Sequence, residues 1–255
     1  MKMTLYKVNG LSSLFLLWSL PVAALQCPPG TYHVRSHLRS AYYRADGTFV
    51  KATHVSESCR GKNAVYDTWA FRLKSGFPPG WENKTERPTQ WTEEQRERVL
   101  EALGELPEAL RKASLKGIYR LSKSIFHPNP ASDDNEGIMV LYDSAFDKGQ
   151  RLARIVAHEL AHETYVALGR SSQTSYRKAL GWKFEYEPES RKFLYKERAG
   201  NFVADDGRQG PMEDFANNLE YYLFEPNVLK GKTPKAFDWM KKHFGDKFKV
   251  GKGSE

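Results

Sequence analysis

The chain of 255 residues is 40% hydrophobic and 27% charged, and it contains 13 Tyr, 14 Phe and 6 Trp. This composition excludes a disordered chain and is typical of a globular protein with one sizeable core, or with a core domain and a small accessory module. The formal net charge of +8 favours anionic surroundings such as cell-envelope polymers, lipid head groups or nucleic acid.

Residues 1–24 are predicted to be a secretory signal peptide. Lys2 and Lys7 precede an apolar run from Leu11 to Leu25, which is shorter than the roughly 20 residues that a membrane-spanning helix needs. The small residues of Val22-Ala23-Ala24 suit cleavage after Ala24. We therefore expect an exported protein, periplasmic or extracellular, without a transmembrane segment. In that compartment nucleic acid is not an expected partner.

Cys27 and Cys59 are the only two cysteines of the chain. An oxidising compartment favours joining them, so we predict a Cys27–Cys59 disulfide. In the chain-entropy description, a loop of this length stabilises the folded protein by roughly 3–4 kcal/mol. A lipid anchor on Cys27 is the alternative, and Gln26 immediately before it disfavours that anchor.

Residues 25–62 are predicted to form a small basic β-rich module. The pair Asp46-Gly47 separates two β-prone runs, which is a strong hairpin signal because Gly accepts the positive φ of a tight turn. Six Lys/Arg against two acids make the segment basic, so it is a candidate for binding anionic envelope polymers. Three histidines lack ligand spacing on a predicted helix and are expected to be ordinary surface residues: His33, His37 and His54.

Residues 63–91 are rich in Pro, Gly and Trp and are predicted to be a linker or an irregular covering segment. Residues 92–255 form the predicted catalytic domain. Thr92 and Gln95 make a capping box for an amphipathic helix that reaches about Leu103, and a shorter helix is predicted after Pro107. Two predicted strands follow, with a polar loop between them: Gly117–Leu121 and Gly137–Tyr142.

The strongest predicted helix extends from residue 149 to about residue 168 and contains His158-Glu159-Leu160-Ala161-His162. One helical turn separates His158 from His162, so both imidazoles project from one face. Two neutral imidazoles at this spacing can share a zinc ion at about 2.0–2.1 Å each. Glu159 is offset from the metal and can accept a proton from an attacking water.

A second predicted helix offers the third ligand. Pro211 favours a helix start, and Glu213 and Glu220 lie on the face opposite the apolar residues of Pro211–Leu223. Both are ligand candidates, and Asp214 is the nearest competing acid. A solvated helix face is the ordinary alternative for such acids. The residues alone leave the choice between Glu213 and Glu220 open.

The pairing of His158–His162 with a downstream Glu-Asp-Phe-Ala helix resembles the gluzincins, and most closely the anthrax lethal factor-like catalytic domain. The resemblance covers roughly residues 92–245, and its specific parts are residues 158–162 and 206–223. It implies zinc as the cofactor, with His158, His162 and Glu213 as its ligands. It also implies that Glu159 is the general base.

Two positions depart from that family. Its members often show Tyr-Gly-Arg shortly before the ligand Glu, where the Tyr stabilises the oxyanion, and this chain has Asp206-Gly207-Arg208. Asn217 stands where the family usually has a second Glu that supports the site. Three tyrosines are candidate substitutes for the oxyanion donor: Tyr165, Tyr221 and Tyr222.

The predicted fold class is therefore α+β, a zincin-like metallopeptidase domain preceded by a small N-terminal β-rich module. The predicted function is zinc-dependent hydrolysis of a peptide bond, in a protein or in the peptide part of a cell-wall polymer. One rival is a zincin-fold binding protein with weakened catalysis that acts at the cell envelope. Another makes the basic module the main function and the zinc structural. A structural zinc needs a fourth protein ligand, and the sequence suggests none.

Overall fold

The structure, a computed structural model, describes residues 31–43, 49–61, 69, 72–81, 86–111, 115–122, 130–133 and 137–248. The predicted signal peptide, Cys27 and the Asp46-Gly47 turn lie outside these residues. Within them the protein combines helices and strands in an α+β arrangement. No helix in this part of the chain is both long and apolar enough to cross a membrane.

The N-terminal segment contains six short strands that pair as a nested antiparallel ladder. The outermost pair joins β1 to β6, the next joins β2 to β5, and β3 pairs with β4 across residues 44–48, as the predicted hairpin requires. Cys59 on β6 is disulfide-bonded, while the predicted Cys27–Cys59 pairing stays a prediction. The strands are β1 Thr31–Val34, β2 His37–Arg39, β3 Tyr42–Tyr43, β4 Phe49–Val50, β5 Thr53–Val55 and β6 Ser58–Gly61.

This module packs against the first long helix, α1 (Glu93–Glu105). The Tyr42 hydroxyl donates to Glu101 Oε2 at 2.5 Å, and the Ser40 N–H donates to Glu94 Oε1 at 2.8 Å. His37 Nε2 lies 2.9 Å from Glu97 Oε2, and the Glu97 side chain is only 3% exposed. Acidic side chains of α1 therefore interact with hydrogen-bond donors of the module. The module is packed against the helical part of the protein through these contacts.

A four-stranded mixed sheet forms the centre of the remaining chain, in the order β7-β8-β10-β9. Strands β7, β8 and β10 are parallel, and β9 pairs antiparallel with β10 at one edge. Met139, Val140 and Leu141 are fully buried, which explains the uninterrupted apolar run of β10. The strands are β7 Leu73–Lys74, β8 Gly117–Arg120, β9 Ala131–Asp133 and β10 Ile138–Leu141.

The predicted strands at 117–121 and 137–142 are confirmed as β8 and β10, but the other two strands of this sheet were not predicted. The segment 63–91, predicted to be a linker, contributes β7 and the buried Trp69 and Leu73 to the main core. The sheet therefore extends N-terminal of residue 92. The predicted polar loop contributes β9, whose Ala-Ser-Asp sequence shows no apolar alternation and gains its strand geometry from pairing with β10.

Seven α-helices follow β7 in the described part of the chain. The capping box of Thr92 and Gln95 is present, and the helices predicted from it and after Pro107 are confirmed. The helices after α1 are α2 Glu108–Arg111, α3 Leu152–Ala167, α4 Gly169–Leu180, α5 Pro211–Phe224, α6 Pro226–Lys232 and α7 Pro234–His243.

Helices α3 and α5 pack against each other through fully buried apolar side chains. Val156 and Leu160 of α3 and Phe215 and Leu219 of α5 are each 0% exposed and belong to one core cluster. Burial of these faces fixes how the two helices are rotated about their axes. The polar faces of α3 and α5 therefore meet beside this core.

Asp214 is held in a buried hydrogen-bond network beneath α5. Arg198 Nε donates to Asp214 Oδ2 at 2.7 Å and Arg198 Nη2 donates to Oδ1 at 3.0 Å. Trp182 Nε1 and Asn218 Nδ2 donate to the same carboxylate at 2.8 and 2.9 Å. Asp214 is 1% and Arg198 6% exposed, so each is the main charge partner of the other.

Asp214→Ala is expected to lower the free energy of unfolding by about 3–5 kcal/mol, because it leaves the buried Arg198 guanidinium without its carboxylate. Denaturant unfolding of the variant and the wild type measures this difference. The matched control is Asp238→Ala on the exposed face of α7, which should stay within about 0.5 kcal/mol of wild type. Equal losses in the two variants would contradict the structural role of Asp214.

Candidate metal centre

Two histidines of α3 and one carboxylate of α5 meet between these helices. His158 Nε2 lies 3.4 Å from Glu213 Oε2, and His162 Nε2 lies 3.6 Å from the same oxygen. The imidazole rings are 5.0 Å apart between centroids and nearly perpendicular, at 77°. The helical spacing thus brings both Nε2 atoms to one point, and the facing helix supplies an oxygen there.

The three groups lie close enough together to bind one metal ion. Their ligand atoms all lie within 4.8 Å of one another, and this is the one group of its kind in the described ranges. Two ligands bonded to zinc at about 2.0–2.1 Å lie about 3.3 Å apart when the site is tetrahedral. The observed 3.4 and 3.6 Å agree with that separation. Two imidazoles and a carboxylate also suit zinc chemically and leave one coordination position for water or substrate.

The start of α5 determines where Glu213 lies. Pro211 occupies the first turn, and Gly210, with φ 166° and ψ 171°, is extended backbone that brings the chain into the helix. Glu213 lies in the first turn of α5. Its side chain is 32% exposed and lines the cleft. Asp214, its neighbour, points into the buried Arg198 network instead and is no ligand candidate.

Glu220, the other ligand candidate from the sequence, contacts the opposite side of the His158 ring. Its Oε2 lies 3.4 Å from His158 Nδ1, whereas Glu213 approaches Nε2. Arg154 Nε donates to Glu220 Oε1 at 2.6 Å, and Arg154 also forms an ion pair with Glu225. A carboxylate on the second nitrogen of a metal-binding histidine fixes the ring orientation and its tautomer. Glu220 is therefore a support of His158 and not a solvated acid.

Arg154 was not singled out in the sequence. It lies one turn before His158 on α3, and its guanidinium contacts Glu220 and Glu225 and covers the Tyr221 ring at 4.8 Å. The sequence did contain a signal for this residue. Arg154 lies four residues before the predicted ligand His158, and the predicted partner helix carries two acids, Glu213 and Glu220, on one face. The contact itself depends on the packing of α3 against α5.

Glu159 lines the same cleft and is 7% exposed. Burial raises the pKa of its carboxyl group to about 7; nearby His158 opposes this rise, and the charges of Glu213 and Glu220 add to it. A pKa near neutrality suits a group that accepts and then returns a proton at physiological pH.

The two histidines differ in their proton affinity. Burial favours the neutral ring of His158, but hydrogen bonds with Glu213 and Glu220 raise its pKa to about 10. Burial lowers the pKa of His162 to about 4. The carboxylates on both sides of His158 therefore attract a positive charge to this point, which a metal cation bound there also supplies.

A cleft of about 490 Å³ lies over the three ligand candidates. Ala131 of the edge strand β9 lines it, so an extended chain bound in the cleft would lie beside a sheet edge. The cleft also contains Asp206, whose Oδ1 accepts a hydrogen bond from Asn217 Nδ2 at 2.6 Å. The two positions that depart from the gluzincin pattern thus contact each other inside the cleft.

None of the three tyrosines proposed as an oxyanion donor is among the residues that line this cleft. Tyr165 is 6% exposed, and its hydroxyl accepts a hydrogen bond from Arg177 at 3.3 Å. The Tyr222 hydroxyl donates to the Gly245 carbonyl at 3.3 Å, and Tyr221 lies beneath Arg154. The structure therefore does not bring these three candidates to the cleft lining, and an oxyanion role for them stays a prediction.

Comparisons of the chain with protein-family models, with characterised proteins and with solved structures found no match.

Proposed function

We propose that this protein is an exported zinc-dependent peptidase with a zincin-like fold. The observation that carries the proposal is the approach of His158 Nε2 and His162 Nε2 to one oxygen of Glu213, with Glu159 in the same cleft. His158, His162 and Glu213 would hold the ion. Export rests on residues 1–24, which lie outside the described residues.

The bound ion and the side chains of the protein would supply different parts of the reaction. A bound zinc ion would polarise the substrate carbonyl and lower the pKa of water. Glu159 accepts the proton of the water that attacks the carbonyl carbon, and it then transfers that proton to the leaving nitrogen. Glu220 keeps the His158 ring in place through Nδ1, and Arg154 keeps Glu220 there.

The substrate we propose is a peptide, in a protein or in a cell-wall polymer. The edge strand β9 and the open cleft beside it support this choice, since an extended peptide can pair with a free strand edge. The basic N-terminal module supports binding to anionic envelope polymers. Although His37 contacts α1, Arg35 and Lys51 of the module remain exposed.

The proposal is tested by the metal content of the purified protein together with cleavage of a peptide library. We expect about one zinc per chain and cleavage that stops with a chelator and returns with added zinc. Cleavage that persists after complete removal of metal would contradict the zinc mechanism.

A second candidate function is a zincin-fold protein that binds peptides and has weakened catalysis. The residues that line the cleft favour this function. Asp206 and Asn217 are among them, and none of the three candidate oxyanion-donor tyrosines is. The same experiment separates the two functions. Stoichiometric zinc with peptide binding and no cleavage of any library member would favour the binding protein.

A further inference from the structure

Two strands between α4 and α5 form a hairpin with an exposed aromatic face. Strand β11 (Lys183–Glu187) pairs antiparallel with β12 (Lys192–Lys196), and neither pairs with another described strand. We call this element the aromatic hairpin. Because side chains alternate between faces, four rings share one face in two directly opposed pairs: Phe184 with Tyr195, and Tyr186 with Phe193.

These rings are exposed to solvent rather than packed into the core. Phe184, Tyr186 and Phe193 are 59%, 52% and 60% exposed, and Tyr195 is 39% exposed. With Leu194, the hairpin holds five of the ten exposed large hydrophobic side chains in the described part of the chain. A contiguous apolar patch on a soluble protein marks an interaction site.

The segment made of α4 and the aromatic hairpin has an excess of positive charge. Residues 169–196 contain seven Lys/Arg and three Glu. Lys183 and Lys196 lie directly opposite each other across the two strands, where like charges destabilise a sheet. Lys196 pairs with Glu187 at 3.0 Å, and Arg177 of α4 lies over the Tyr195 ring at 5.4 Å. Lys183 has no recorded acidic partner among the described residues and remains available for an external anion.

We propose that the aromatic hairpin binds the surface of an anionic lipid bilayer. Aromatic side chains flanked by Lys and Arg occur where proteins contact the membrane–water interface, since the rings enter the boundary region while the cations meet anionic head groups. The hairpin is amphipathic: Phe184 and Phe193 lie on the aromatic face, and Lys183 and Lys192 lie on the opposite face, at its two ends.

Ring packing argues against a glycan as the occupant. Sugars stack on open aromatic faces, but here the rings cover one another. Phe184 stacks on Phe193 at 5.4 Å and 27°, and it also contacts Tyr195 at 4.8 Å. Tyr186 meets Phe193 edge-on at 5.2 Å. These ring contacts leave less open ring face for a sugar, while the exposed apolar area remains suited to insertion among lipid chains and head groups.

Charge argues against a second copy of this chain. Two hairpins joined through their aromatic faces would leave the strand lysines of both copies on the outer faces without an anionic partner, and two segments with the same excess of cations repel each other. An anionic bilayer removes this repulsion and attracts the same cations. The inference is independent of the proposed peptidase activity, since no residue of the aromatic hairpin lines the metal cleft.

The test is sedimentation of the protein with lipid vesicles. The chain used begins at Leu25, so that the apolar run before it cannot contribute to binding. Vesicles contain phosphatidylglycerol and phosphatidylcholine in equal parts, or phosphatidylcholine alone. We expect binding to the anionic vesicles that is several-fold tighter than to the neutral ones and weakens with salt.

Two double variants separate the aromatic and the charge contributions. Phe184→Ser with Phe193→Ser should weaken binding to anionic vesicles by about tenfold or more. Lys183→Gln with Lys192→Gln should remove the preference for anionic vesicles and leave the weak binding to neutral ones. The control is Val228→Ser on α6, an exposed apolar residue outside the hairpin, which should bind as the wild type does.

Any of the following outcomes would overturn the proposal. They are vesicle binding that the Phe184/Phe193 variant retains in full, absence of vesicle binding by the wild type, and a wild-type dimer that becomes monomeric in that variant. Binding to a polysaccharide without binding to vesicles also counts against it. Metal-free protein that keeps its fold should bind vesicles like the zinc-loaded form, so failure of the peptidase proposal does not affect this result.

Discussion

Glu159→Gln is expected to abolish peptide hydrolysis while the zinc stays bound. The amide has nearly the shape of the carboxyl group, so the 7% exposed site can accommodate it. It cannot accept a proton from the attacking water. Loss of general-base catalysis typically costs about 10²–10⁴-fold in rate, and we expect the turnover number to fall by at least that much. Zinc content should stay near one per chain because Glu159 is not among the three ligand candidates.

The measurement is single-substrate kinetics together with zinc analysis of the same preparations. Glu163→Gln is the matched control, since it is the same substitution on the same helix and lies outside the cleft lining. Glu163 accepts a hydrogen bond from the Gly137 N–H at 2.7 Å, and the Gln oxygen can still accept it. The control should keep activity within a few-fold of wild type. Wild-type turnover in Glu159→Gln would remove Glu159 from the general-base role.

Local sequence signals predicted the helices α1, α2, α3 and α5 and two of the central strands, but not α4 or α6. The capping box at Thr92 depends on atoms three residues apart, and the spacing of His158 and His162 depends on one turn of one helix. Strands β8 and β10 are buried, and their apolar runs reveal them. In each case the information lies within a few consecutive residues.

Features that depend on packing between elements were not predicted. Strand β9 is defined by its pairing with β10, and its three residues carry no strand pattern of their own. The contact of Glu220 with His158 Nδ1, and its link to Arg154, depend on how α3 and α5 face each other. The choice between Glu213 and Glu220, which the residues left open, therefore depends on helix packing, which brings Glu213 near both histidine Nε2 atoms and Glu220 near Nδ1 of His158.

The aromatic hairpin shows a signal that was available in the sequence and was not used. Its strands read Lys-Phe-Glu-Tyr-Glu and Lys-Phe-Leu-Tyr-Lys, with rings at alternate positions and Pro188 between them. Period-two alternation with a Pro-containing turn is typical of a hairpin. The pattern does not predict that the aromatic face is exposed, because a strand with alternating side chains normally buries its apolar side.

Glu213→Ala is expected to lose most of the bound zinc. It removes the oxygen that lies 3.4 Å from His158 Nε2 and 3.6 Å from His162 Nε2, and two imidazoles alone leave a tetrahedral site half-filled. Glu220→Ala removes no ligand candidate but frees the His158 ring on its Nδ1 side. Loss of such a support typically weakens metal affinity by about 10–100-fold, so this variant should retain zinc at saturating concentrations.

Competition with a chromophoric chelator measures the zinc dissociation constants of wild type, Glu213→Ala and Glu220→Ala under one set of conditions. Val228→Ser, at an exposed position that does not line the cleft, serves as the unaltered control. The expected order of affinity is wild type, then Glu220→Ala, then Glu213→Ala, with the last near the affinity of two histidines alone. Because Arg154 keeps its ion pair with Glu225 when Glu220 is removed, a fold defect does not account for the intermediate value. Full zinc retention in Glu213→Ala with loss in Glu220→Ala would mean that the ligand comes from two turns further along α5, and that Glu213 only lies near the ion.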